Sequence, residues 1–133
     1  MSLAESHKYM HSHCSLVRLG GRDKRGYGGW TFCEMRNDSV IFSVGVGKDV
    51  TFDVAAVRRY NARVDCFDPT LGRQDFETLI APFKLTSAER ARISFYPFGL
   101  AAKDDVLTFY RNPSRLTMAT TVQQNKASGH KGK

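Results

Sequence analysis

Between Val40 and Val44 the chain reads Val-Ile-Phe-Ser-Val and then stops at the turn Gly45-Val46-Gly47-Lys48-Asp49. A short, nearly all-apolar run bounded by glycine predicts a strand buried on both faces, as in a parallel sheet with helices on either side. The period then changes. Val50, Val54 and Val57 recur at helical spacing and predict a helix over Thr51 to Tyr60, with Asp49 as its N-cap. Arg63–Phe67 is a second strand, which Pro69 keeps from simply continuing. Phe76, Leu79 and Ile80 predict a short second helix ending before Pro82, and Thr86 with Glu89 forms a capping box for one more helical turn. Ile93–Phe98 is a third strand and Val106–Tyr110 a fourth β-prone run. Ahead of these lie a turn at Gly26-Tyr27-Gly28-Gly29 and a short β-prone piece at Trp30–Cys33. Residues 1–25 are polar and aperiodic, a flexible leader, and 118–133 read as a basic disordered tail. No internal repeat is visible. The alternation β-α-β-α-β predicts an α/β domain over residues 26–117, built on a parallel sheet with right-handed crossovers.

At 133 residues the chain is one domain at most, and 41% hydrophobic content suits a folded globule. The net charge of +7 points to nucleic acid only until it is mapped. Residues 30–98 carry nine basic and nine acidic groups, so the excess lies in the flanks, eleven basic residues against four acids. Such flanks read as solvated tails, and no nucleic-acid partner is expected. No run approaches the about 20 apolar residues of a membrane span, and the N-terminus lacks a secretory h-region, which predicts a cytoplasmic protein. Cys14, Cys33 and Cys66 form no CxxC pair. An odd count predicts no disulfide framework and no zinc site, and suits a reducing compartment. Cys66 reads as a small core residue. His7, His11, His13 and Cys14 are close enough to bind a soft metal, but their polar surroundings read as leader, so no metal site is expected.

The chemistry concentrates where the first strand ends. A two-glycine turn follows it, and the second strand ends in Asp68, 23 positions after Gly45. That is the arrangement by which a nucleotide-type ligand is held at the carboxyl edge of a parallel sheet. A phosphate-binding P-loop is excluded, because Gly47-Lys48 is followed by Asp49 and Phe42 stands where the first glycine is needed. A dinucleotide fingerprint needs a third glycine where Val50 stands. Asp49 and Asp53 would also largely cancel the attraction of the helix N-terminus for a pyrophosphate. S-adenosyl-L-methionine has no phosphate and carries a sulfonium and an ammonium, so an acidic helix start is compatible with it. Asp68 is placed to accept hydrogen bonds from its ribose hydroxyls. Lys48 as a base, and Asp104-Asp105, read as ordinary loop residues.

The run Phe42-Ser43-Val44-Gly45-Val46-Gly47-Lys48-Asp49-Val50-Thr51-Phe52-Asp53, followed by Phe67-Asp68-Pro69-Thr70, resembles the FkbM-type S-adenosylmethionine-dependent methyltransferases. Gly28-Gly29-Trp30-Thr31-Phe32-Cys33 is similar to the lead-in of one branch, and Ile93–Leu100 to its third strand and the Gly-Leu after it. The likeness covers about residues 26–117. It implies a Rossmann-like class I methyltransferase fold, here its N-terminal part only, with three to four mostly parallel strands. It also implies that Gly45, Val46, Gly47 and Asp49 line the methionine end of the cofactor and Asp68 holds the ribose. Pro69 and Thr70 would lie beside the adenosine, and Gly99-Leu100 would approach the adenine. The acceptor it implies is a sugar or small-molecule hydroxyl; no residue identifies a catalytic base.

The family's later acidic strand-end motif has no counterpart in the chain. The expectation is therefore a partial domain: a truncated product, a fragment, or a half-domain completed by a partner. In the doubly wound strand order, the absent strand would pair with Val40–Val44, leaving an open apolar edge suited to self-association. Beside the methyltransferase reading stand a catalytically inactive binding or interaction module, and an RNA-associated protein that rests on the flanks alone.

Overall fold

Parallel strands must be joined by crossovers, and the right-handed rule decides which face those crossovers cover. In the computed structural model, which describes residues 14–21, 27–104, 106, 109–110 and 121–122, this rule shapes the central sheet. The chain divides into two units, residues 1–100 and 101–133. The first contains β1 (Leu16–Leu19), β2 (Trp30–Cys33), β3 (Val40–Val44), α1 (Thr51–Tyr60), β4 (Arg63–Phe67), α2 (Arg73–Ile80), a 3-10 turn (Ala81–Phe83), α3 (Ser87–Arg90) and β5 (Ile93–Tyr96). In the second unit, β6 (Phe109–Tyr110) pairs antiparallel with β7 (Thr121–Val122). The division falls at Leu100, whereas the sequence pattern ends the domain near residue 117. Thr121–Val122 is a strand within the stretch read as tail; the rest of that stretch lies outside the described residues.

The central sheet has the order β3-β4-β5, all parallel, in the register Ser43↔Cys66↔Phe95. The rows Ile41–Val64–Ile93 and Ser43–Cys66–Phe95 face the helices. Phe76 of α2 stacks on Phe95 with ring centroids 4.4 Å apart. On α1, Val54, Ala56 and Val57 are buried. Burying a valine side chain contributes about 1.5–3 kcal/mol, so this face holds α1 in place more firmly than helix propensity could. Asn61, at φ 51°, ends α1 in the left-handed conformation that asparagine tolerates. The N-cap position of α1 is Val50, not Asp49. The Asp49 carboxylate instead accepts from Thr51 N at 2.8 Å and from the Thr51 hydroxyl, a local Asx-type bond that serves one residue earlier. The capping box at α3 is present, with Glu89 N donating to Thr86 Oγ1 and Thr86 N to Glu89 Oε2.

Two expectations are corrected. The first is that β3 is buried on both faces. Val40, Phe42 and Val44 are more than half exposed, at 52%, 66% and 59%. Because the chain steps from β3 to β4 to β5 in one direction, both right-handed crossovers run over the same face. The opposite face carries Phe42, Phe67, Tyr96 and Phe98 in mutual ring contact, Phe67 stacking on Tyr96 at 4.9 Å. β3 is also the sheet's edge, as the open-edge expectation has it.

The second correction concerns the cysteines. Part of the polar leader, Leu16–Leu19, is a strand paired antiparallel with β2. That pairing brings Cys14 opposite Cys33, with Cα atoms 5.5 Å apart, and the two form a disulfide. An odd count excludes only a fully paired set, and Cys66 is the free, buried one. The hairpin packs on α1 through Phe32, which meets Phe52 edge-on at 5.6 Å, and through Arg59 to Glu34 at 3.0 Å.

Candidate functional site

Parallel strands end together, so the loops after β3, β4 and β5 meet at one edge of the sheet. The turn after β3 needs its two glycines for backbone reasons. Gly45 and Gly47 have φ of 78° and 60°, and a Cβ on either would meet no atom within 4 Å. They allow the left-handed turn and leave open space above it. Gly45 N extends the ladder by donating to Phe67 O at 2.8 Å, and Val46 is buried beneath the turn.

Asp68 joins this turn to the loop after β4. Its Oδ2 accepts from Gly47 N at 2.7 Å, and its Oδ1 accepts from Thr70 N at 2.8 Å and the Thr70 hydroxyl at 2.6 Å. Asp68 N donates to Tyr96 O at 3.2 Å. A carboxylate has about four lone-pair sites, so one remains on Oδ2 for an outside donor. Pro69 lies against Gly99, whose Cβ position would be 3.6 Å from the proline Cγ. Gly45, Val46, Gly47, Asp68, Pro69, Thr70 and Gly99 thus form one cluster. Leu100 is exposed at its margin.

Asp49 closes the same turn, its N–H donating to Val46 O at 3.4 Å, while its carboxyl packs against the turn before β2. A Cβ on Gly28, at φ 77°, would collide with the Asp49 carboxyl. Beside it opens a cavity of about 630 Å³ between the outer edge of β3, the Tyr27–Trp30 segment and the start of α1. Asp49 and Asp53 both line it, and no basic residue does among the described residues. Asp49 Oδ2 and Asp53 Oδ1 are buried without a hydrogen-bond partner. Burial raises the Asp53 carboxyl above its ordinary value. A hydrogen bond from the Ser43 hydroxyl opposes the rise, the Asp49 charge adds to it, and the Cys66 thiol also opposes it. The Cys66 thiol is itself pushed up by burial and by the charges of Asp53 and Asp65, so Cys66 stays protonated.

The sequence singles out Asp53 as an acid in the first helical turn but not the cavity. Tyr27 and Trp30, Phe42, and Phe52 reach it from three separate segments, and the hairpin formed by β1 and β2 supplies the first of these. The signal within the sequence is the glycine pair ahead of Trp30. Of the metal candidates, His7, His11 and His13 lie outside the described residues and Cys14 is in the disulfide. No helix among the described residues is long and apolar enough to cross a membrane.

The fold is therefore mixed α/β, a three-stranded parallel sheet beside a two-stranded antiparallel one. No family model matches the chain, and no curated protein or solved structure matches it.

Proposed function

We propose that residues 26–100 are the cofactor-binding part of a Rossmann-like, S-adenosyl-L-methionine-dependent methyltransferase domain. The observation that carries this reading is the bond from Gly47 N to Asp68 Oδ2, which ties the two-glycine turn to the end of the second strand at the carboxyl edge of the sheet. The sheet order β3-β4-β5 agrees with the first half of a doubly wound sheet. Asp49 and Asp53, at the start of α1, favour a cationic ligand over a phosphate. In this reading Gly45, Val46, Gly47 and Asp49 flank the methionine end. Asp68 offers its remaining lone pair to the ribose, and Pro69, Thr70, Gly99 and Leu100 border the nucleoside. The acceptor is a sugar or small-molecule hydroxyl, and methyl transfer would draw on orientation of the two substrates. The disulfide supports an oxidising compartment rather than the cytoplasm.

A second reading, an inactive module that binds through its sheet edge, is favoured by the exposure of Val40, Phe42 and Val44. Calorimetry with S-adenosylhomocysteine separates the two. Binding that is lost in folded Asp68→Asn supports the cofactor reading, and no heat from a folded, monodisperse wild-type sample rejects it.

A further inference from the structure

Asp49 and Asp53 differ from an ordinary acidic cluster in one respect. Each has a buried carboxylate oxygen without any hydrogen-bond partner, both residues line the same cavity, and Asp53 is only 3% exposed. A buried acceptor left unpaired costs about 1–3 kcal/mol, more when it is charged, so the arrangement asks for a donor from outside the fold. The donor must carry positive charge, because the two carboxylates stand together with no basic residue lining the cavity among the described residues. It must also carry hydrogen. A fully methylated onium would neutralise the charge but leave both oxygens without a hydrogen bond. The remaining wall is aromatic, with Trp30, Phe42 and Phe52. Trp30 is 66% exposed, so its ring can cover the apolar body of a ligand whose charged end lies deeper. A cavity of about 630 Å³ falls within the range of small-molecule sites.

We propose that this cavity binds the primary ammonium group of a small molecule with an apolar stem, its N–H groups donating to Asp49 Oδ2 and Asp53 Oδ1. The ammonium can belong to the amino-acid end of the cofactor or to a separate arylalkyl amine. The first case rests on the methyltransferase reading and the second does not.

Three probes separate these sources by calorimetry: S-adenosylhomocysteine, 5′-methylthioadenosine, which has the nucleoside without the ammonium, and tryptamine, which has the ammonium without the nucleoside. The expected result is that Asp53→Asn weakens S-adenosylhomocysteine and tryptamine about tenfold or more and leaves 5′-methylthioadenosine unchanged. N,N,N-trimethyltryptamine should bind at least tenfold more weakly than tryptamine. Asp49→Asn gives the same pattern if Asp53→Asn does not fold. Tryptamine binding that depends on Asp53, with neither nucleoside binding, keeps the ammonium site and rejects the cofactor reading. Equal affinity for S-adenosylhomocysteine and 5′-methylthioadenosine, with no tryptamine binding, keeps the nucleoside site and overturns the ammonium site. Binding of S-adenosylhomocysteine and tryptamine that is indifferent to both substitutions also overturns it, as does a folded protein that binds none of the probes.

Discussion

Asp53 and Asp68 are buried to the same degree, 3% and 4% exposed, yet their carboxylates are used in contrasting ways. Asp68 accepts three hydrogen bonds from the chain itself and ties two loops together. Asp53 has one oxygen without a partner beside a cavity, with Asp49 close enough to raise its pKa further. Burial has a similar cost for both groups, and only Asp68 has enough donors within the protein to offset it. One carboxylate therefore serves mainly to position backbone, and the other is a destabilising feature of the fold. Buried charge of the second kind marks functional sites more often than the first.

The largest expected effect is at the satisfied carboxylate. Asp68→Ala removes the acceptor for Gly47 N, Thr70 N and the Thr70 hydroxyl at once, and it should cost about 3 kcal/mol in a urea-unfolding experiment. A loss below about 1 kcal/mol would show that the two loops hold their shape without Asp68, and the contrast with Asp53 would collapse.

Next is the disulfide. It closes a loop of sequence separation 19, and the paired change Cys14→Ser with Cys33→Ser should cost about 2–3 kcal/mol. The location of the damage sharpens the comparison further. The hairpin segment reaches α1 through Gly21 N, which donates to Thr51 Oγ1 at 2.8 Å, and through Gly28 packed on Asp49. Hydrogen exchange should therefore rise at Thr51 and around the Asp53 cavity while Thr70 N stays protected. Equal loosening at both would mean that the two carboxylates belong to one cooperative unit.

At Asp53 the sign reverses. Its pKa in the fold is raised above 3.8, so the fold favours the neutral acid. The associated stability is fully present below pH 3.8 and is lost as pH rises through the folded value. Above pH 3.8 the raised pKa is therefore a cost, and at neutral pH Asp53→Asn should stabilise the protein by about 1 kcal/mol, or about 4–8 °C in Tm. The gap between variant and wild type should close as pH falls toward 3.8. A variant less stable than wild type at pH 7 would mean that the unpartnered oxygen is satisfied in solution.

These contrasts also explain what could be read in the chain. α1 and β4 have the predicted bounds because each declares itself locally: a valine stripe at helical spacing, and a strand stopped by Pro69. The two-glycine turn and Asp68 were legible as a pair for the same reason, since the spacing of a strand-helix-strand unit brings them to one edge. That Asp68 bonds inward was not, because the Gly47 N–H that it accepts depends on the turn's left-handed geometry. The exposure of β3 was hidden for a different reason. Composition alone cannot say that both crossovers share a face, and an apolar strand reads the same whether one or both faces are covered. The β1–β2 hairpin escaped notice because Leu16–Leu19 is one short run in polar surroundings, and with it went the disulfide and the aromatic wall of the cavity.

The smallest expected effect on stability tests what meets the Asp53 side of the molecule. β3 is an exposed edge, and its outer residues adjoin the cavity, so a second copy pairing there could offer a donor in place of a small molecule. Val40 is 52% exposed on this strand and does not line the cavity. Val40→Lys should change the unfolding free energy by no more than about 0.5 kcal/mol, the range usual for surface changes. It should also lower self-association in sedimentation velocity, because a lysine on an edge strand discourages pairing with another chain. If tryptamine affinity is the same in Val40→Lys and in wild type, the unpartnered oxygen answers to the ligand and not to the edge. If affinity rises as association falls, the second copy competes for the cavity, and Asp53 then belongs to an interface as much as to a binding site.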